Sequence, residues 1–123
     1  MVKSHKDLLV WQKSIVFVKE LYTVTQSFPK EELYGITSQM RRAAVSIPSN
    51  ISEGYGRCHD RELIHFLYIS LGSAAEIETQ LIVCKEIGLL PDDKYKFFMD
   101  SISEIIRMLS ALVNKRVSTS STC

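Results

Sequence analysis

No stretch of this 123-residue chain approaches the roughly 18 consecutive apolar residues that a membrane helix requires. A secretion signal is equally hard to find: Leu8 to Trp11 is too short an apolar core, and Lys13 follows at once. Three cysteines, Cys58, Cys84 and Cys123, make an odd set with no metal-ligand spacing, which fits a reducing cytoplasm better than a disulfide framework. Charge of one sign is also missing. A formal net charge of +1 is too small for the basic excess that usually marks a dedicated nucleic-acid binder. There is no β-strand pattern, internal repeat or linker.

Catalytic patterns are lacking too. No serine or threonine sits in a strand-turn-helix elbow. Gly54-Tyr55-Gly56 closes a helix rather than opening one, so its backbone donors are not placed to cradle a phosphate. Glu62 and His65 have the Glu-x-x-His spacing of di-iron bundles, but such a site needs a second copy and two further inward glutamates. A surface or interface histidine is the simpler account. No enzyme, metal or cofactor is implied.

What is present is helical periodicity throughout. Leu8, Trp11, Ile15, Val18 and Tyr22 alternate at three and four, beside a second line of Val10, Phe17, Leu21, Val24 and Phe28. Asp7 is the expected cap, and Pro29 ends this helix or lies just beyond it. Residues 30–35 then form a connection, with Thr37 as the cap of the next helix. In that second helix Ile36, Met40, Ala43, Ile47 and Ile51 keep one face in phase across Pro48. A proline in a helix interior costs about 3 kcal/mol, yet the preserved phase predicts one kinked helix rather than two. Its expected end is Gly54-Tyr55-Gly56, residues that accept left-handed dihedrals.

The third helix, with Asp60 as its cap, carries an unbroken heptad seam of Leu63, Leu67, Ser70, Ala74, Ile77, Leu81 and Cys84. Its first half is nevertheless apolar nearly all round, including Ile64, Tyr68 and Leu71 off the seam. A helix apolar on every side is buried on every side. Those three residues are therefore the expected oligomer interface. Gly88 closes the third helix. The fourth carries Tyr95, Phe98, Ile102, Ile105, Leu109 and Leu112, with Met99, Ile106 and Val113 alongside. The polar residues 117–123 read as an unstructured tail beyond an ordered core of about residues 7–116. Four amphipathic helices with short loops predict an all-α, antiparallel up-down four-helix bundle in one domain over residues 1–123.

Three arginines are the candidate nucleic-acid contacts: Arg41, Arg42 and Arg57. Arg57 stands four residues after Glu53, the favourable order for an intrahelical ion pair, and that is the simpler reading of it. Asn50 falls where it either fixes register or sits half exposed beside the proline.

The run G-I-T-S-Q-M-R-R-A-A-V-S-I-P-S-N-I-S-E-G-Y-G-R at 35–57 resembles the signature of bacterial four-helix-bundle proteins encoded in intervening sequences of 23S ribosomal RNA genes. D-L-L-V-W-Q-K at 7–13, F-P at 28–29 and F-L-Y-I-S-L-G-S-A-A-E-I-E-T-Q-L at 66–81 extend the resemblance. One departure stands at Cys58-His59-Asp60-Arg61-Glu62, where many relatives have a serine-led capping box. The family in turn resembles an accessory protein of diversity-generating retroelements, a basic pentamer that works with nucleic acid. The resemblance thus implies a bacterial, cytoplasmic, non-enzymatic homo-oligomer, a pentamer, with RNA or DNA as a partner. The alternative is a structural or adaptor protein that binds another protein.

Overall fold

The computed structural model describes residues 4–57 and 59–118. Cys58, Cys123 and the tail from 119 onward lie outside them. Four helices carry the fold: α1 (Leu9–Thr25), α2 (Ser38–Tyr55), α3 (Asp60–Glu86) and α4 (Asp92–Ser118). No strand occurs among the described residues. None of the helices is long and apolar enough to cross a membrane. Each helix packs on its chain neighbours, and α1 closes the ring against α4.

Side-chain pairings fix the directions. Gly54 of α2 meets Leu63 of α3, Ile47 meets Ser70, and Met40 meets Cys84, so the two helices run antiparallel. Lys85 lies over the Tyr95 ring while Arg116 reaches Asp60, which sets α4 antiparallel to α3. Arg41, at the start of α2, bonds Thr25 at the end of α1. The result is the expected up-down bundle.

The seam expected in α3 is buried along its whole length, and so are Met40, Ala43, Ile47 and Ile51 of α2. In α4 the core takes Phe98, Ile102, Ile105, Leu109 and Val113, while Leu112 is half-buried. In α1 the outcome differs from the expectation. Val10, Phe17, Leu21 and Phe28 enter the core, whereas Ile15 and Tyr22 are exposed and Trp11 and Val18 half-buried. Ser14 and Thr25 share the inward line. They are tolerated there because each hydroxyl donates to a carbonyl of its own helix, Trp11 O at 2.7 Å and Leu21 O at 2.8 Å.

α2 runs without interruption through Pro48. The non-helical dihedrals of this region lie upstream, at Gly35 (φ −112°, ψ −116°), where a π-helical turn over Leu33–Thr37 bends into α2. Thr37 occupies the N-cap position of α2, as expected, but makes no side-chain capping bond. It is already helical, and its buried hydroxyl takes no hydrogen bond among the described residues. Asp7 lies in a 3-10 turn ahead of α1, whose N-cap position is Leu8. Asp60 is the first residue of α3, with His59 at the N-cap, and turns to Arg116 at 3.5 Å. α4 continues through Val117 and Ser118, two residues past the expected end of the ordered core.

The glycines separate into distinct roles. Gly88 alone among the described residues has a positive φ, 81°, and there Leu89 N donates to Cys84 O at 2.8 Å to close α3. Gly56 ends α2 with φ −79°, in the ordinary right-handed region, so the left-handed ending expected there is not used. Gly54 is needed for space. A Cβ on it would stand 2.9 Å from Leu63 Cδ1 and 3.1 Å from Phe66 Cβ. Gly72, exposed in the middle of α3, has nothing within 4 Å of the same position.

These two glycines make opposite predictions. Gly54→Ala forces α2 away from α3 and should destabilise the fold by about 1–3 kcal/mol, the usual cost of overpacking. Gly72→Ala should stabilise it by about 0.5–1 kcal/mol through backbone entropy alone. Urea unfolding followed by helical circular dichroism measures both.

Candidate functional site

The three candidate arginines do not form one patch. Arg41 and Arg42 lie in the first turns of α2, and Arg57 lies two residues past its end. The step of sixteen positions from Arg41 to Arg57 corresponds to about 24 Å at the helical rise. Their surroundings differ as well. Arg41 is half-buried: its Nε donates to Thr25 Oγ1 at 2.9 Å and one terminal nitrogen to Tyr22 O at 3.3 Å. Its guanidinium also sits 4.5 Å from the centre of the Tyr22 ring. A cation at the last carbonyls of α1 complements the negative end of that helix. Arg41 therefore ties α1 to α2. Arg42 is exposed.

Arg57 pairs with Glu53 Oε2 at 2.8 Å, as the spacing suggests, and lies 5.2 Å from the centre of the Phe66 ring. The pair is half exposed and contributes little to stability. Two further arginines share this end of the bundle. Arg61 is exposed in the first turn of α3, and Arg116 in the last turn of α4 holds Asp60. Only the antiparallel arrangement brings residues 57, 61 and 116 together, so their separation in sequence conceals the cluster.

Glu62 and His65 are one helical turn apart in α3, but His65 is exposed and sets its ring edge-on to Phe66 at 5.3 Å. No group of three potential metal ligands forms among the described residues. Cys84 is fully buried, its sulfur 3.5 Å from that of Met40. Burial, and secondarily the charge of Glu32, push its thiol up to about 11. It is a core residue in the protonated form, not a nucleophile.

Asn50 is half-buried and resolves as a structural group. It donates to Ser46 O at 2.8 Å and to Ser46 Oγ at 2.9 Å, while Ser73 Oγ donates to Ser46 Oγ at 2.8 Å. This short polar chain crosses from α2 to α3 and sets their register.

The expected interface residues lie on the surface side of α3. Tyr68 is 56% exposed, and Ile64 and Leu71 are half-buried beside the core. Residues 60, 64, 68, 71, 75, 78, 82 and 85 continue one strip at spacings of four and three. Both of its ends touch α4, Asp60 through Arg116 and Lys85 through Tyr95. The strip thus runs beside α4, and it includes Ile82, 45% exposed. An apolar groove, not foreseen from the sequence, runs between α1 and α2. It encloses about 230 Å³ lined by Trp11, Ile15, Val18, Val45, Pro48, Ser49 and Ser52. The equal apolar content of the two lines on α1 was its signal.

A family model described as 23S rRNA-intervening sequence protein matches residues 6–111. Among solved structures, the chain is similar to a protein of unknown function from the S23 ribosomal protein family of Bacteroides thetaiotaomicron. The TM-score is 0.80 at 22% identity, covering 86% of this chain and 96% of that one. At that identity the likeness speaks for the fold alone. No curated protein matches the chain.

The assignment of Arg41 to structure carries a prediction. Arg41→Ala removes two hydrogen bonds and a cation-π contact and should cost about 1–2 kcal/mol. Arg42→Ala, fully solvated, should stay within about 0.5 kcal/mol of the parent. Thermal unfolding of the two variants separates them.

Proposed function

The chain belongs to the 23S rRNA-intervening sequence protein family, and from that premise we propose that it acts as a self-assembling helical scaffold with no catalytic chemistry of its own. The observation that carries this reading is the apolar surface left outside the core. Tyr68, Ile82, Ile15 and Val45 are each at least 40% exposed, on helices whose core-facing lines are already complete. Contiguous apolar patches beyond a few hundred Å² are uncommon on soluble monomers, and covering them in a closed assembly is the ordinary solution. Five subunits is the number that the family resemblance suggests. The free, buried Cys84 is compatible with a reducing bacterial cytoplasm.

Contact with RNA or DNA belongs to the same proposal, and it is weak and electrostatic for each chain. Arg42 and Arg57 are the residues that touch phosphate, with Arg61 beside Arg57. Arg41 drops out of the set because its donors are engaged with α1. The small net charge argues against tight binding by a single copy.

Two measurements test the proposal. Light scattering over a dilution series should give a mass well above the 14.0 kDa of one chain, and near five times that value. A single-chain mass overturns assembly; a dimer or tetramer mass overturns only the number five. Binding to a structured RNA should be lost between low salt and about 0.5 M, and be weakened by Arg57→Ala plus Arg61→Ala. Binding unchanged by salt would rule out phosphate contact as its source.

A further inference from the structure

On the flank of α1 turned away from the α1–α2 groove, a cavity of about 450 Å³ opens where the last turns of α1 meet the first turns of α4. We propose that this cavity binds a small aromatic monoanion, a flat ring that carries one acid group and an amino or hydroxyl substituent. The site is separate from the arginine end of the bundle and does not depend on self-assembly.

Its apolar part is a slot for a ring. Phe98 is buried and stands edge-on to Phe17 at 5.7 Å, so the core holds it in place. Phe97 stands edge-on to Phe98 at 5.2 Å and is 46% exposed. Val24 lines the facing wall. A half-exposed phenyl beside a fixed one offers a stacked or edge-to-face contact to an incoming ring. The volume falls within the roughly 300–1,000 Å³ of small-molecule clefts.

Charge and hydrogen bonding select the rest of the ligand. Lys19 and Lys94 line the cavity, and neither pairs with a carboxylate among the described residues. Glu20 lines it too, half-buried and likewise without an ion pair there, so the lining carries one net positive charge. Asp92 and Asp93 precede Lys94 in the first turn of α4 but do not line the cavity, and Glu31, Glu32 and Glu86 lie at the same end. These outer acids repel a polyanion, while the lysines inside still hold a single acid group. Thr23 Oγ1 donates to Lys19 O at 3.1 Å, and Ser27 Oγ donates to Val24 O at 2.8 Å. With their protons engaged, both hydroxyls offer lone pairs to the cavity, and Glu20 adds a carboxylate. The α1 wall therefore accepts hydrogen bonds, which an amino or hydroxyl group on the ring would supply.

Anilinonaphthalene sulfonate has this chemistry, and its fluorescence reports entry into an apolar site. It should saturate at one probe per chain. Lys19→Ala and Lys94→Ala should each weaken its binding about threefold and Phe97→Ala about tenfold, while Glu20→Gln should tighten it about twofold. None of these side chains belongs to the buried core, and unchanged helical circular dichroism checks that each variant folds. Uncharged phenylnaphthylamine should bind with an affinity that the lysine changes leave alone. Para-aminobenzoate should displace the sulfonate at about a threefold lower concentration than benzoate does. A probe that fails to bind, or whose affinity ignores the lysine and phenylalanine changes, overturns the site. Equal displacement by benzoate overturns the accepting wall and with it the substituent. Displacement by a structured RNA at low salt assigns the two lysines to polyanion contact, which overturns this proposal and supports the nucleic-acid reading.

Discussion

Everything in this bundle depends on how closely α2 approaches α3. Gly54 has no Cβ because Leu63 and Phe66 occupy its place. Ser70 Oγ donates to Ile47 O at 2.9 Å, and the chain from Asn50 through Ser46 to Ser73 adds a second polar tie. At the far end Met40 and Cys84 meet sulfur to sulfur. Small residues let the backbones approach, and the approach brings hydroxyls within reach of carbonyls and of each other. The polar ties accept little slippage, since a shift of one residue would leave each donor without its acceptor. With that pair fixed, α1 is set through Arg41 and α4 through Arg116 and Tyr95.

That constraint also explains Pro48. The residue lacks the N–H that would bond Ala44 O, yet α2 stays helical on both sides of it. Ile47, Pro48 and Ile51 are all buried, so the apolar face on both sides of the proline is held by the core. Local propensity loses to tertiary packing here, and the in-phase apolar stripe is the sequence signal that it does. The same stripe made α2 legible from the residues alone, as the heptad seam did for α3 and the left-handed Gly88 for its end.

Helix starts were far less legible, for a physical reason. Asp7, Thr37 and Asp60 are all good capping types, yet Leu8 and His59 hold the N-cap positions of α1 and α3, and Thr37, at that of α2, makes no capping bond. Thr37 is already helical because the chain enters α2 from a π-helical turn. Asp60 is drawn to Arg116, fifty-six residues away, which no local rule can foresee. α1 shows the same limit. Its two apolar lines are equivalent in sequence, and the core chose the one containing Ser14 and Thr25, whose hydroxyls could be satisfied within the helix. The surplus of apolar residues was readable. Its distribution over the surface was not, because that needs the ring order of the helices. The candidate arginines illustrate the reverse case, adjacent in a motif but assigned by long-range contacts to different tasks.

In the proposed assembly a low net charge is compatible with nucleic-acid contact, because copies packed side by side repeat the same end of the bundle. Arg57, Arg61, Lys115 and Arg116 share one end of the bundle, where Glu53, Asp60 and Glu62 offset three of the four positive charges. The opposite end carries Glu31, Glu32, Glu86, Asp92 and Asp93 against Lys30, Lys85 and Lys94, a balance of the other sign. Parallel copies place every arginine end on one rim and every acidic end on the other. Each phosphate contact remains weak, but contacts on one assembly act at high effective concentration, so binding strengthens without any new residue. An antiparallel or irregular assembly of the same chain would spread those charges over both sides and forfeit the gain. On that proposal, affinity for an extended polyanion reports on the order of the assembly, and one measurement tests the apolar faces and the arginine end together.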